Sequence, residues 1–303
     1  NQIVTVRVSP ASGYILQTRN EGTVENHGVE FLWEQDILTN RDFTWKSSMT
    51  FGFNRGKVVK LPDDIVEIQG TQYTDVFPTA YLNGSTTAIS GKDYLRTEDG
   101  EVIVNTDGYP KINPTKSVLI GNREPDFLMG LNNSFYFKGI NVAFLIDGRK
   151  GGDIYNATSR GMWSDGQHKD LEFYRGRQVV WDGVVQQPDG TYTKNTTPIV
   201  LDSKTITEYY AGVSSNFIED GSYIRLNYLT IGYNFSSLIK NKTQFTSLKC
   251  SLTGSNLFLL TKYTGSDPQI NANTGSGGTG GMGIDYYPVP PTRGIHLTVS
   301  ATF

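Results

Sequence analysis

The stretch Ile295-His296-Leu297-Thr298-Val299-Ser300-Ala301-Thr302-Phe303 alternates without a break, and its reading decides the fold. Ile295, Leu297, Val299, Ala301 and Phe303 share one face of a strand; His296, Thr298, Ser300 and Thr302 share the other. The same pattern fits a strand between lipid and water and a strand on the surface of a soluble sandwich. Position separates the two. An alternating strand that stops on a buried-face aromatic is expected where it pairs to close a barrel, because chain ends otherwise fray into solvent.

Further strands of the same kind precede it. Val29, Phe31 and Trp33 alternate with Glu30, Leu32 and Glu34; a polar turn spans Thr39 to Asp42; then Phe43, Trp45, Met49, Phe51 and Phe53 occupy one face. This predicts a hairpin. A second hairpin carries Phe127, Met129, Leu131, Phe135 and Phe137, turns at Lys138 and Gly139, and returns through Ile140, Val142, Phe144 and Ile146. A third runs through Leu229, Ile231, Tyr233 and Phe235, crosses a linker from Ser236 to Lys242, and returns through Leu248, Cys250 and Leu252. With a partial strand at Asn1 to Val8, eight spanning strands are expected. The charged residues Glu30, Glu34, Lys46, Asp147 and Lys249 fall on the polar faces, as a water-filled or plugged lumen requires; a solvated sandwich face would look similar.

Three long stretches rich in Gly, Asn, Asp and Tyr separate the hairpins, near residues 55–126, 150–221 and 260–293. Long connections without periodic patterning are uncommon in compact soluble domains and usually functional. Short turns at one end and long loops at the other are the asymmetry of outer-membrane barrels. Composition agrees: 33 Gly, 17 Tyr and 15 Phe with only 37% hydrophobic residues suit turn-rich β-structure with aromatic girdles. A net charge of -3 without a Lys/Arg cluster speaks against a nucleic-acid partner. No apolar run approaches the ~20 residues of a spanning helix, which leaves spanning strands of about ten residues open. The single Cys250 excludes an internal disulfide and reads as a small strand residue. No secretory leader opens the sequence, so Asn1 is expected to be a trimmed end or a break in a longer chain.

Several word-like runs then become recognisable. Asn26-His27-Gly28-Val29-Glu30 followed by Phe43 to Trp45, Pro125 to Gly130 followed by Phe137 to Gly139, and Gly151-Gly152-Asp153-Ile154-Tyr155-Asn156 come first. Asp220 to Leu226 with Gly232 and Tyr233, Gly254 with Asn256-Leu257-Phe258, Tyr263 with Gly265, Asp267 and Pro268, and Gly283 to Tyr286 with Pro288 follow. In this order the chain resembles the SusC/RagA family of TonB-dependent outer-membrane transporters over nearly its whole length. It departs at Pro291-Thr292-Arg293, where family members commonly read Pro, Arg, Thr.

The resemblance implies an all-β fold, a transmembrane antiparallel β-barrel of about 22 strands with a plugged lumen, of which this chain supplies about the last eight. It implies the outer membrane of a Gram-negative, Bacteroidota-like bacterium. It further implies energised import of oligosaccharides or oligopeptides, a SusD-like surface lipoprotein as partner, and TonB acting through a plug upstream of Asn1. A soluble surface β-sandwich that binds glycan and a passive porin are the alternatives.

Leu297, Val299, Ala301 and Phe303 resemble the signal read by the barrel-assembly machinery, and Phe303 equally suits an interfacial aromatic girdle. The loop aromatics Trp163, Tyr174, Trp181, Tyr286 and Tyr287 suit stacking on sugar rings or anchoring in a partner protein, and equally local loop packing. Gly275 to Gly283 is not followed by the Lys and Ser/Thr of a phosphate loop. Asp147, Asp153 and Asp165 lack calcium-loop spacing, and His27, His168 and His296 are scattered. No cofactor, metal or catalytic residue is therefore expected.

Overall fold

The computed structural model describes residues 2–7, 9, 11, 13–14, 16–62, 67–69, 72, 75–115, 117–239, 244–269 and 282–303, without the side chains of 2–7, 16 and 68. Asn1, Val8, part of the Ser236–Lys242 linker and most of Gly275–Gly283 thus lie outside the described residues. The wall of the molecule is one eight-stranded sheet. Its strands are β1 (Gln2–Arg7), β2 (Leu16–Thr39), β3 (Phe43–Lys60), β4 (Phe127–Phe137), β5 (Ile140–Lys150), β6 (Tyr223–Asn234), β7 (Ser247–Thr261) and β8 (Gly294–Thr302). Each pairs antiparallel with its neighbours in sequence.

Local chemistry sets the turns. Asn40 Oδ1 accepts the N–H groups of Asp42 (3.1 Å) and Phe43 (2.8 Å), folding the first turn around its own side chain. Lys138 and Gly139 both take positive φ, +46° and +95°, as a two-residue hairpin turn matched to strand twist demands. At the opposite end the strands continue past the expected boundaries. β3 runs on to Lys60, and β2 begins at Leu16, in a polar stretch where both faces are wet.

The register places the expected rows together. Phe31 lies beside Phe51 and Met129, and Leu297 beside Leu252 and Ile231, while Glu30 and Asp147 fall on the other face. A sandwich would cover the apolar rows with a second sheet. Here they stay open, with Leu297 at 69% and Ile231 at 52% exposure, so the soluble-sandwich alternative does not describe this sheet. At the turn end, rings of Phe43, Trp45, Phe135 and Phe144 pack at 5.6–6.5 Å, and Phe245 meets Phe303 at 4.8 Å. Phe51 with Phe53 and Phe127 marks the other end. From Phe43 to Phe53, a rise of ~3.4 Å per residue at a tilt of ~40° gives a band about 26 Å tall, the height of an outer-membrane hydrocarbon layer.

Ser47 and Asn133 interrupt the outward apolar rows, and both are buried. Asn133 Oδ1 accepts the Trp45 indole N–H at 2.9 Å, so a polar group on the lipid side is satisfied within protein. Among the described residues β1 does not pair with β8, and the sheet is an open arc. Lipid offers its free strand edges no hydrogen bonds, so further strands must complete the wall.

Candidate functional site

The three long connections fold into a layer of their own across one end of the arc. Small sheets knit them together. Asp153–Asn156 pairs antiparallel with Ile218–Asp220 and parallel with Ile284–Asp285, and Ile103–Val104 pairs parallel with Val184–Gln186. Glu67–Gln69, Phe77–Tyr81, Ala88–Gly91 and Val118–Asn122 form another sheet. Beneath lies a core of Val76, Ile89, Tyr155, Trp163, Leu171, Ile206, Phe217 and Ile284. Where described, the stretches expected as unpatterned loops are therefore structured, by pairing between distant segments.

A cavity of about 800 Å³ opens in this layer. Helix α1 (Ala157–Ser164) forms one wall with Thr158, Ser159, Met162 and Trp163; Tyr210, Phe217, Glu219, Thr264, Asp285 and Pro288 complete much of the rest. Asn156 organises the site. Its Oδ1 caps α1 by accepting Ser159 N–H at 2.8 Å, while its Nδ2 donates to Glu219 Oε1 at 2.8 Å. Glu219 in turn accepts Thr264 N–H at 2.7 Å and Thr264 Oγ1–H at 2.8 Å. One buried amide thus ties all three sides of the cavity together. Asn156→Ala removes the cap and leaves Glu219 short of a donor, at about 2 kcal/mol. Protease cutting within 157–217 is expected to quicken about thirtyfold while the wall strands stay protected.

On the opposite rim Asp285 accepts Thr158 Oγ1–H at 2.6 Å and the Tyr263 hydroxyl at 2.5 Å. Burial, reinforced by this hydrogen bond to a carboxylate, pushes the Tyr263 phenol well above its ordinary range, so it stays a neutral donor. Thr158 Oγ1 also accepts Tyr287 N–H at 2.9 Å, and Tyr287 is held at φ +48°, an unusual conformation for a bulky residue. Its hydroxyl lies over Gly161 of α1, where any Cβ would collide with it.

The five expected aromatics therefore separate. Trp163 is 7% exposed, with Tyr210 (4.4 Å) and His168 (4.8 Å) on its ring, so it packs into the core of the layer while also lining the cavity. Trp181 packs edge-on against Tyr94 and Tyr210. Tyr174 is exposed beside Phe173, away from the cavity lining. Tyr286 and Tyr287, 44% and 56% exposed, pack against each other at 5.3 Å beside the cavity mouth. Asn156, Thr158, Glu219, Tyr263 and Asp285 were not singled out as site residues from sequence. Among the described residues no group of His, Cys, Asp and Glu could hold a metal ion.

No protein-family model matches the chain. It is 27% identical over 319 residues to TonB-dependent receptor P3 of Formosa agariphila, covering 96% of this chain and 30% of that protein. It is 23% identical to TonB-dependent receptor SusC of Bacteroides thetaiotaomicron over 314 residues, covering 94% of this chain and 27% of SusC. The chain thus spans about 30% of the length of the curated relatives it matches. Among solved structures, the RagAB peptide importer in its open-open state superposes with a TM-score of 0.67 at 18% identity, over 99% of this chain and 31% of that one. The closed-closed state gives 0.63 at 17% identity, over 98% and 31%. The chain is thus similar over nearly its whole length to TonB-dependent receptors such as SusC, and its fold is that of part of their transmembrane β-barrel.

Proposed function

We propose that this chain is the C-terminal part of an outer-membrane importer that takes up oligosaccharides or oligopeptides, driven by TonB through a plug upstream of Asn1. A SusD-like lipoprotein covers the loop layer, which faces the cell exterior. The observation that carries this reading is the match to TonB-dependent receptors along nearly the whole chain. The layer adds support: a cavity of about 800 Å³ with mixed polar and apolar walls, and beside it Tyr286 and Tyr287, followed by Pro288, Pro290 and Pro291. Paired tyrosines on a stiff loop present apolar area at little entropic cost. In the same reading Leu297, Val299, Ala301 and Phe303, on the open edge strand, are what the barrel-assembly machinery recognises.

The test is uptake of fluorescent oligosaccharides and oligopeptides by cells in which this receptor is the sole route. Uptake is expected to stop when TonB is deleted; persistence would instead favour a passive porin. Tyr286→Ala with Tyr287→Ala is expected to weaken capture of lipoprotein or substrate tenfold or more, at about 1–2 kcal/mol for each ring. The heat-modifiable mobility of the barrel should be unchanged.

A further inference from the structure

The outward, lipid-facing side of the sheet carries a groove of about 460 Å³ at the end nearest the loop layer. Its apolar lining comes from neighbouring strands: Phe127 and Met129 on β4, Ile224 on β6 and Leu260 on β7. Between Met129 and Ile224 the register places Gly148, so the row lacks a side chain there and the surface dips. Leu260 is 58% exposed. At the loop-side margin stand Lys150, paired in register with Phe127, and Lys262, just beyond the end of β7. Both are exposed, and among the described residues neither forms an ion pair.

The other charges at this margin are already engaged. Arg149 donates from Nε to Gly151 O (3.0 Å) and from Nη2 to Arg123 O (3.1 Å). Asp220 accepts the Ser222 N–H (3.0 Å) and Oγ–H (2.6 Å). The groove therefore offers an apolar trough along the membrane normal, topped by two exposed ammonium groups whose field the Asp220 carboxylate also feels. That is the inverse of an acyl chain topped by phosphate.

We propose that this groove binds a phosphorylated, multiply acylated glycolipid of the outer leaflet, one acyl chain lying along Phe127, Met129, Ile224 and Leu260 and a phosphate meeting Lys150 and Lys262. The assignment to the outer leaflet rests on the reading of the loop layer as external. The groove is continuous with the apolar band, so its occupant is a membrane lipid, and the paired lysines select an anionic one.

The whole receptor in dodecyl maltoside, titrated with diphosphoryl lipid A and followed by native mass spectrometry, tests the proposal. Wild type should hold one lipid A more tightly than phosphatidylglycerol. Lys150→Glu with Lys262→Glu should lower that affinity on the order of thirtyfold or more, as expected for the loss of two membrane-proximal charges. Lys150→Arg with Lys262→Arg should retain it. Unchanged binding in the charge-reversed receptor, equal binding of phosphatidylglycerol, or displacement by millimolar inorganic phosphate would each overturn the proposal. A receptor that shows no heat-modifiable mobility at all would instead count against the barrel reading on which it rests.

Discussion

Arg225→Ala is expected to destabilise the receptor by about 3–5 kcal/mol, because it strips the cation from a buried ion pair. Arg225 sits on β6, and its Nη2 donates to Asp267 Oδ1 at 2.6 Å and Oδ2 at 2.8 Å, with both residues 5% exposed. Asp267 also accepts Gln269 N–H at 2.8 Å, and the Gln269 amide hydrogen-bonds the Tyr223 hydroxyl. The segment after β7 is thereby fastened to the wall strand beside it. Losing the guanidinium leaves a carboxylate with neither water nor counter-charge, which costs more than the pair contributes over an apolar substitute. The double variant Arg225→Met with Asp267→Leu should accordingly lie near wild type. Urea unfolding of the refolded receptor, read by heat-modifiable mobility, measures both. A single variant within about 1 kcal/mol of wild type, or a double as damaging as the single, would show that the pair is not the anchor.

Much of the wall was legible in the sequence because a strand between lipid and water must alternate, and nothing else in the chain enforces period two so strictly. Rows such as Phe43-Trp45-Met49-Phe51-Phe53 could be read directly, and Lys138-Gly139 marked its turn by chemistry alone. The polar start of β2 was not legible. From Gln17 to Gly28 most residues on both faces are exposed, so no alternation is imposed, and the strand exists through pairing with β1 and β3. The cavity layer was hidden for a different reason. Asn156 meets Glu219 and Thr158 meets Asp285 across intervals of 63 and 127 residues, and a lone Asn or Asp carries no trace of such a partner. Trp163 shows what a lone aromatic leaves open: stacking, anchoring and local packing all fit its sequence, and only the folded stretch shows that it packs into a core of its own.

The two faces of the wall should respond unequally to the same charge. Leu229→Arg is expected to cost about 2–4 kcal/mol, and Thr230→Arg, one residue further on, about 1 kcal/mol or less. Leu229 lies midway along β6 on the outward face, in register with Phe144 on β5 and Gly254 on β7. A guanidinium there would face hydrocarbon beside the Phe144 ring, near mid-height of the band. Thr230 points to the opposite side, where its Oγ1 and that of Thr253 share a hydrogen bond at 2.8 Å. Its replacement loses that cross-strand pair, worth about 0.2–1 kcal/mol, and places the new charge in a polar lumen. Equilibrium unfolding in guanidinium of receptor refolded into lipid vesicles reads both variants against wild type. Neighbouring positions share strand, depth and hydrogen-bond ladder, and the lost hydroxyl pair raises only the Thr230 cost, so a larger cost at Leu229 must come from the medium its side chain faces. Equal costs would mean that the sheet does not divide lipid from lumen; a gap of 2 kcal/mol or more, larger for Leu229, is what a barrel wall requires.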